Sequence, residues 1–261
     1  MTSRDQNNNA RVALVTGGAK RIGAVLSQDL ARNGWKVAIQ YNHSEQEALE
    51  LVNSLTSMGY ECFAVHADFN NREDVQKLIP AVVEHYGAID VLVNNASNFE
   101  YDNIDSLTYD SFDKHMEPNL TAPLFLSRDF ARAPGNIDDR CIVNILDHKV
   151  KSLNPDFLSY TISKAALLCV TQVLSMAFKS KIRVNAIAPG LTLRSGKQTD
   201  EGFERAWRAT PLGRSSTPEE ISACLSLILS AASMVGQVIY LDGGESLINR
   251  VRDVAFDTTV V

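Results

Sequence analysis

Short runs of aliphatic and β-branched residues alternate along the chain with longer stretches in which apolar residues recur every three or four positions. "RVALVTG" is the first such run. It is apolar, too short for a helix and closed by glycine, which predicts a strand buried on both faces. "RIGAVLSQDLARNG" follows with helical period and stops at Gly34, a residue suited to the turn that ends helices. The pair then recurs as "KVAIQYN" with "SEQEALELVNSLTSMG" and "ECFAVHADF" with "REDVQKLIPAVVEHYG", leading to "IDVLVNNAS". Later strands are predicted at "CIVNILD", "IRVNAIAPG" and "QVIYLDGG", with helices between them that include "YTISKAALLCVTQVLSMAFK". This βαβαβ rhythm predicts an α/β fold: one Rossmann-type domain, a doubly wound parallel sheet with helices on both faces.

No repeat at a fixed period and no linker divides residues 11–261, which are expected to be one domain. Residues 1–10, "MTSRDQNNNA", are polar, lack the apolar core of a signal peptide and read as a disordered lead-in. The least regular segment, near 191–217, follows a predicted strand end, where ligands bind in such sheets; it is expected to be a substrate flap.

The 261 residues are 45% hydrophobic and 21% charged, an ordinary globular composition. A net charge of −6 with no basic run argues against nucleic acid or an anionic membrane as partner. The apolar stretches fall short of the roughly 20 residues a membrane span needs. Cys62, Cys141, Cys169 and Cys224 are scattered in apolar contexts, which predicts buried reduced thiols, no metal site and a cytoplasmic location.

The first strand runs into "TGGAKRIG". A strand, glycines and a helix start place a pyrophosphate on a helix N-terminus, where N–H groups and the helix dipole attract it. Gly17 and Gly23 permit the tight turn, and Arg21 stands where a middle glycine is common, so its guanidinium should project toward cofactor phosphates or substrate. The second strand ends in "YNHS". No carboxylate appears there until Glu45 to hold a ribose 2′-hydroxyl, while Asn42, His43 and Ser44 offer hydrogen bonds and Lys20 and Arg21 offer charge. A 2′-phosphate suits such a site, so NADPH is the expected cofactor. Ser44 can also cap the next helix.

On "TGGAKRIG", "AD" at 67–68, "NNAS" at 94–97, Asn119, "YTISK" and "APG" at 188–190, the chain resembles the short-chain dehydrogenases/reductases over residues 10–248. The resemblance implies that Tyr160 donates a proton, that Lys164 holds the nicotinamide ribose and favours the phenolate, and that Asn119 supports a relay water. It implies a nucleotide site formed by Gly17, Lys20, Arg21, Ile22 and Gly23, by Tyr41 to Ser44, and by Asp68 and Phe69. Asn94, Asn95, Ala96 and Ser97 would continue it, with Asp68 and Asn94 in the adenine pocket; the Pro189–Gly190 turn would hold the nicotinamide amide, and the Thr192 hydroxyl would contact cofactor phosphate or substrate. A homotetramer is the family's usual assembly.

The family's usual third catalytic residue is a serine 13 positions before the tyrosine; here it is Asp147. Reducing a ketone builds negative charge on oxygen. Two unit charges about 4 Å apart repel by roughly 4 kcal/mol at an effective dielectric of 20, about a thousandfold in rate. Asp147 must therefore be protonated, or the substrate is not a simple ketone. A ring with an imine nitrogen to protonate and N–H groups to donate removes the conflict, and pterins and dihydrofolate have both. Arg21, Ser97 with Phe99, and Asp147 together resemble the pteridine, dihydromonapterin and alternative dihydrofolate reductases. In that group Phe99 would stack the pterin against the nicotinamide, and Arg21 and Ser97 would bond it or nearby phosphates. Leu193 and Trp207 on the flap are further expected substrate contacts. The second strand lacks the arginine seen in some pteridine reductases, and His148 and Lys149 are expected to be solvated or structural.

Two other readings remain open at this level. One is a carbonyl reductase, for example of a 3-oxoacyl thioester, with Asp147 neutral or peripheral. The other is a non-catalytic NADPH sensor, against which the intact Tyr160, Lys164 and Asn119 count.

Overall fold

The computed structural model describes residues 11–135, 139–179, 181–194, 199–254 and 256. The expected lead-in at 1–10 lies outside them. Seven strands form one parallel sheet: β1 (Val12–Val15), β2 (Lys36–Tyr41), β3 (Cys62–His66), β4 (Val91–Asn94), β5 (Arg140–Ile145), β6 (Ile182–Pro189) and β7 (Val238–Leu241). Their order is β3-β2-β1-β4-β5-β6-β7, so the winding reverses between β1 and β4. That switch opens a crevice at the strands' C-terminal ends.

Alternation along the strands feeds two cores. Ala13 and Val15 of β1 point to one face with Val91, Val93, Cys141 and Val143, under α1 (Arg21–Arg32), α2 (Glu45–Ser57) and α8 (Pro218–Ser230). Val12, Leu14, Leu92 and Ile142 point to the other, under α3 (Arg72–Tyr86) and α5 (Ala122–Arg132). Both faces are covered, which is why the strands read as continuous apolar runs. Each fully buried Leu or Ile contributes about 1.5–3 kcal/mol relative to exposure.

The helix α6 (Leu158–Ala177) packs on β6. By length and composition alone it would pass for a membrane-crossing helix, but it packs on the sheet as a core helix does. Its inner face carries Tyr160, Ser163, Lys164, Leu167 and Thr171. Cys169 falls out of phase with that face and is exposed, unlike the other three cysteines. The remaining helices are α4 (Tyr109–Met116) and α7 (Asp200–Arg208). The second is a correction: part of the segment read as irregular is a helix, capped by the Thr199 hydroxyl on the Gly202 N–H and amphipathic enough to lay Ala206 inward. Residues 195–198 of that segment lie outside the described residues.

Candidate active site

The Gly-rich turn is packed backbone to backbone. A Cβ on Gly23 would sit 2.1 Å from the Gly17 carbonyl oxygen, and one on Gly17, at φ +58°, would sit 3.0 Å from Ala96 Cα. Asn95 braces the turn by donating to the Thr16 and Gly17 carbonyls (2.8 and 3.2 Å), while the Asn95 and Ala96 N–H groups donate to the Thr16 hydroxyl. Ile22 packs against the core from the helix start. No side chain caps the N-terminus of α1, so its first-turn N–H groups and positive dipole end suit a phosphate. The cradle fits a dinucleotide pyrophosphate.

Arg21 departs from expectation. It adopts φ 53°, the left-handed region that favours glycine, and its guanidinium donates to the Arg194 and Leu193 carbonyls (2.8 and 3.3 Å). It thus ties the start of α1 to the loop after β6. Lys20 pairs with Glu47 on α2. At the end of β2, Asn42 donates to Asp68 (3.1 Å), and Asn70's N–H, more than any other cause, holds the Asp68 carboxyl below its usual range, with help from His43. Tyr41 donates to Glu45, and Ser44 occupies the N-cap of α2 without a side-chain cap bond. The Phe69 ring lies in the apolar core, and Asn94 is spent inside the sheet, donating to Asn144 (2.8 Å).

At the other end of the crevice, Tyr160 donates its hydroxyl hydrogen to Asp147 Oδ2 at 2.8 Å. One helical turn on, the Lys164 ammonium donates to the Ile145 carbonyl (2.8 Å) and lies 5.7 Å from the Tyr160 ring centre. Asn119 sits in a π-helical turn, Glu117–Thr121, between α4 and α5. Such turns recur at functional sites, and Pro118, which lacks an N–H, is its sequence trace. The Asn119 amide donates to the Asn98 carbonyl and Ser163 hydroxyl, and its oxygen accepts from Ser97 (3.1 Å) and the Asn98 N–H.

Asp147 caps a single 3-10 turn, His148–Val150, accepting from the Lys149 N–H (2.9 Å). Burial opposes its charge, but the adjacent His148, then the Lys149 N–H and the Tyr160 hydroxyl, outweigh burial and hold Asp147 down at about 2. These neighbours favour its carboxylate form. Burial and that carboxylate in turn push Tyr160 well above its ordinary range. Burial also brings Lys164 down to about 8, against the pull of Asp147. The expected phenolate is therefore overridden in the protein alone: Tyr160 is held as a phenol, charged with the proton it would deliver.

His148 and Lys149 are not solvated. His148 Nδ1 lies 3.1 Å from Asp147 Oδ1, outside hydrogen-bond alignment, and Nε2 lies 3.6 Å from Glu245 Oε1. Lys149, 2% exposed, donates to Asp253 (2.7 Å) and Asn154 (2.9 Å). The C-terminal segment thus folds back onto its own chain, locked by Arg252 on Asp156 (2.8 Å). Its Phe256 ring packs on Tyr101 and Phe157. Phe157 stacks on Phe99 at 4.4 Å, and Phe99 meets the Tyr160 ring edge-on at 4.6 Å while staying 39% exposed. Sequence reading missed Phe157, three residues before Tyr160, and Glu245, Asp253 and Phe256, which lie far in sequence from the tyrosine–lysine motif.

The Gly190 N–H donates to the Leu241 carbonyl, fixing the turn after Pro189, and the Thr192 hydroxyl bonds the Gly190 carbonyl and Ser216 (3.0 and 2.7 Å). Leu193 enters through its carbonyl alone, on Arg21. Trp207 is half-buried on α7, with its carbonyl accepting from Thr210. Among the described residues no group of three His, Cys, Asp or Glu side chains could hold a metal.

The model of the enoyl-(acyl carrier protein) reductase family, a short-chain dehydrogenase/reductase family, matches residues 17–246. A crystal structure of FolM alternative dihydrofolate reductase 1 from Brucella canis, complexed with NADP, superimposes with a TM-score of 0.89 at 39% identity, covering 94% of this chain and 97% of that one. The Brucella suis protein of the same name, also with NADP, gives 0.89 at 40% identity, over 94% of this chain and 98% of its own. Hydroxynaphthalene reductase arp2 of Aspergillus fumigatus is 34% identical over 221 residues, 84% of this chain and 78% of that protein.

Proposed function

Since the chain belongs to the short-chain dehydrogenase/reductase family, we propose that it is an NADPH-dependent reductase of a dihydropterin or dihydrofolate ring. One observation carries the reading: the carboxyl group of Asp147 accepts the hydrogen of the Tyr160 hydroxyl at 2.8 Å. A carboxylate there repels a developing alkoxide but accepts hydrogen bonds from the N–H and NH₂ groups of a pterin. The likeness to two alternative dihydrofolate reductases complexed with NADP supports both substrate class and cofactor.

NADPH, when bound, supplies the hydride. The first-turn N–H groups of α1 would hold its pyrophosphate, and Asn42, His43 and Ser44 would face its ribose. Tyr160 gives its proton to the ring nitrogen next to the carbon that receives hydride, and Asp147 orients the ring and the phenol. Phe99, stacked on Phe157, offers a flat apolar wall for the heterocycle.

We extend the proposal to a homotetramer. Leu124 and Phe125 on α5 and Ile162, Val173 and Met176 on α6 are all exposed, an apolar face suited to a second copy. Light scattering that gave a monomer at micromolar concentration would remove this part.

The substrate assignment is tested by NADPH oxidation with dihydrobiopterin, dihydromonapterin, dihydrofolate and an acetoacetyl thioester, in the natural protein and in Asp147→Ser. Pterin or folate turnover that drops in the variant is expected. Turnover of the thioester alone, or a variant that gains ketone reduction with pterin reduction unchanged, overturns it in favour of a carbonyl reductase.

A further inference from the structure

Asp147 has a partner with no assigned role. His148 lies between two carboxylates, with Nδ1 3.1 Å from Asp147 and Nε2 3.6 Å from Glu245, and it is only 8% exposed. Glu245 is 2% exposed, sits in a 3-10 turn just after β7, and its Oε2 has no hydrogen bond among the described residues. A buried carboxylate is costly unless a charge or hydrogen bonds compensate it, and the one titratable side chain between the two is His148. Its backbone neighbour Lys149 is engaged with Asp253 and Asn154, so that ammonium does not serve Asp147.

We propose that His148 is a positioning residue: clamped by Glu245, its imidazolium holds the Asp147 side chain aimed at Tyr160, so that loss of the His148 proton releases that aim and lowers turnover as pH rises. This rests on Asp147 and Tyr160 being the proton-handling pair. The geometry makes Asp147 depend on His148 and His148 on Glu245, a chain that leads from the phenol to the turn after β7.

The other charges around His148 agree in direction. Burial opposes the imidazolium, yet Asp147 and then Glu245 overcome it, against Lys149, and push His148 up to about 9. Asp242, just before Glu245 in sequence, also feels the His148 charge, while Arg250 and Asp253 act on Glu245 with opposite signs. The sign follows by linkage. A raised histidine contributes stability in full below its ordinary 6.5, and that contribution is lost as pH climbs through about 9. Asp147, depressed to about 2, loses its contribution only below 3.8 and plays no part in that window. Lys164, at about 8, titrates inside the window and is the competitor.

The test uses the full-length protein and its His148→Gln and Glu245→Gln variants. Histidine ring NMR, assigned by the His148→Gln spectrum, follows the His148 titration with and without NADPH, and the pH profile of kcat is measured with dihydrobiopterin. Removing Glu245's charge should lower the His148 midpoint by about 1–3 units, and the alkaline limb of kcat should move down with it. In His148→Gln, which keeps a hydrogen-bonding side chain without a titrating charge, the limb should no longer follow residue 245. A Glu245→Gln variant that lowers the rate at every pH without moving the NMR midpoint or the limb would leave only a structural role and overturn the proposal. So would a limb that stays at the Lys164 position. If pterins do not turn over, the same limb is read with the acetoacetyl thioester, so a wrong substrate and a wrong role for His148 give different results.

Discussion

The two ends of the crevice are built by opposite means. At the Gly-rich turn backbone packs closely on backbone, and neutral groups from Gln40, Ser27, Val93 and the 95–96 pair fix Thr16 to Gly23. At the proton end the geometry comes from charged side chains recruited from far along the chain: Asp147, His148 and Lys149 meet Tyr160, Glu245 and Asp253. The difference lies in what each ligand part needs. A pyrophosphate asks for N–H groups and close approach, which a short motif supplies. A proton donor asks for a tuned charge in a buried place, which only long-range packing supplies.

The sharpest way to break the comparison is to remove the chemistry at one end and watch the other. Tyr160→Phe deletes the proton donor, and kcat should fall about 10²–10⁴-fold. NADPH affinity, measured by fluorescence titration, should stay within a few-fold, because the nucleotide is held mainly at the turn. A loss of less than tenfold in kcat would mean that another group delivers the proton.

The next effect is on stability. Lys149 is 2% exposed and Asp253 is its charge partner, so Asp253→Asn leaves a buried ammonium half-compensated. Breaking a buried pair from one side costs roughly 3–5 kcal/mol, whereas replacing both partners with apolar residues recovers most of it. Denaturant unfolding of Asp253→Asn and of Lys149→Met with Asp253→Leu should show that order. Equal loss in single and double variants would argue that the C-terminal segment contributes by covering area and not by its charge.

That segment also marks the limit of what the sequence discloses. The sheet and the turn follow from local patterns, because periodicity and motif spacing are properties of contiguous residues, while the grouping of Tyr160, Lys164 and Asp147 is what the family resemblance implies. Sequence reading gave His148 a solvated or structural role because adjacency says nothing of Glu245, almost a hundred residues on. Arg21 was legible as a residue in a glycine's place, and its φ of 53° explains why glycine is common there. Its target was not legible, since the Leu193 and Arg194 carbonyls belong to a loop whose path no local pattern encodes. Cys169 fails differently. Hydrophobic context marks it as buried, but only the phase of a helix decides which surface it serves.

At the turn, a smaller effect is expected from Gly23→Ala. The new methyl would stand 2.1 Å from a backbone carbonyl that cannot swing away, so α1 must shift from β1. Such overpacking costs about 1–3 kcal/mol. NADPH affinity should weaken while the His148 titration stays put, because the strain sits at the far end of the crevice. A displaced His148 midpoint in this variant would show that the two ends are mechanically coupled.

The smallest expected effect is at Arg21, which belongs to both ends. Its left-handed backbone costs about 1–2 kcal/mol in a residue with a Cβ, and its two exposed hydrogen bonds to the loop return about 0.5–1.5 kcal/mol each at most. The terms nearly cancel. Arg21→Gly should therefore leave the melting temperature within a few degrees of the natural protein, whereas Arg21→Lys keeps the strain, loses the planar fork and should be the less stable of the two variants. Catalysis should rank them differently: with the Leu193 and Arg194 carbonyls released in both, KM for the substrate should rise in both while kcat, set at Asp147 and Tyr160, holds. If Arg21→Gly melts far below Arg21→Lys, the backbone strain has been misjudged and the latch contributes more to the fold than to the loop.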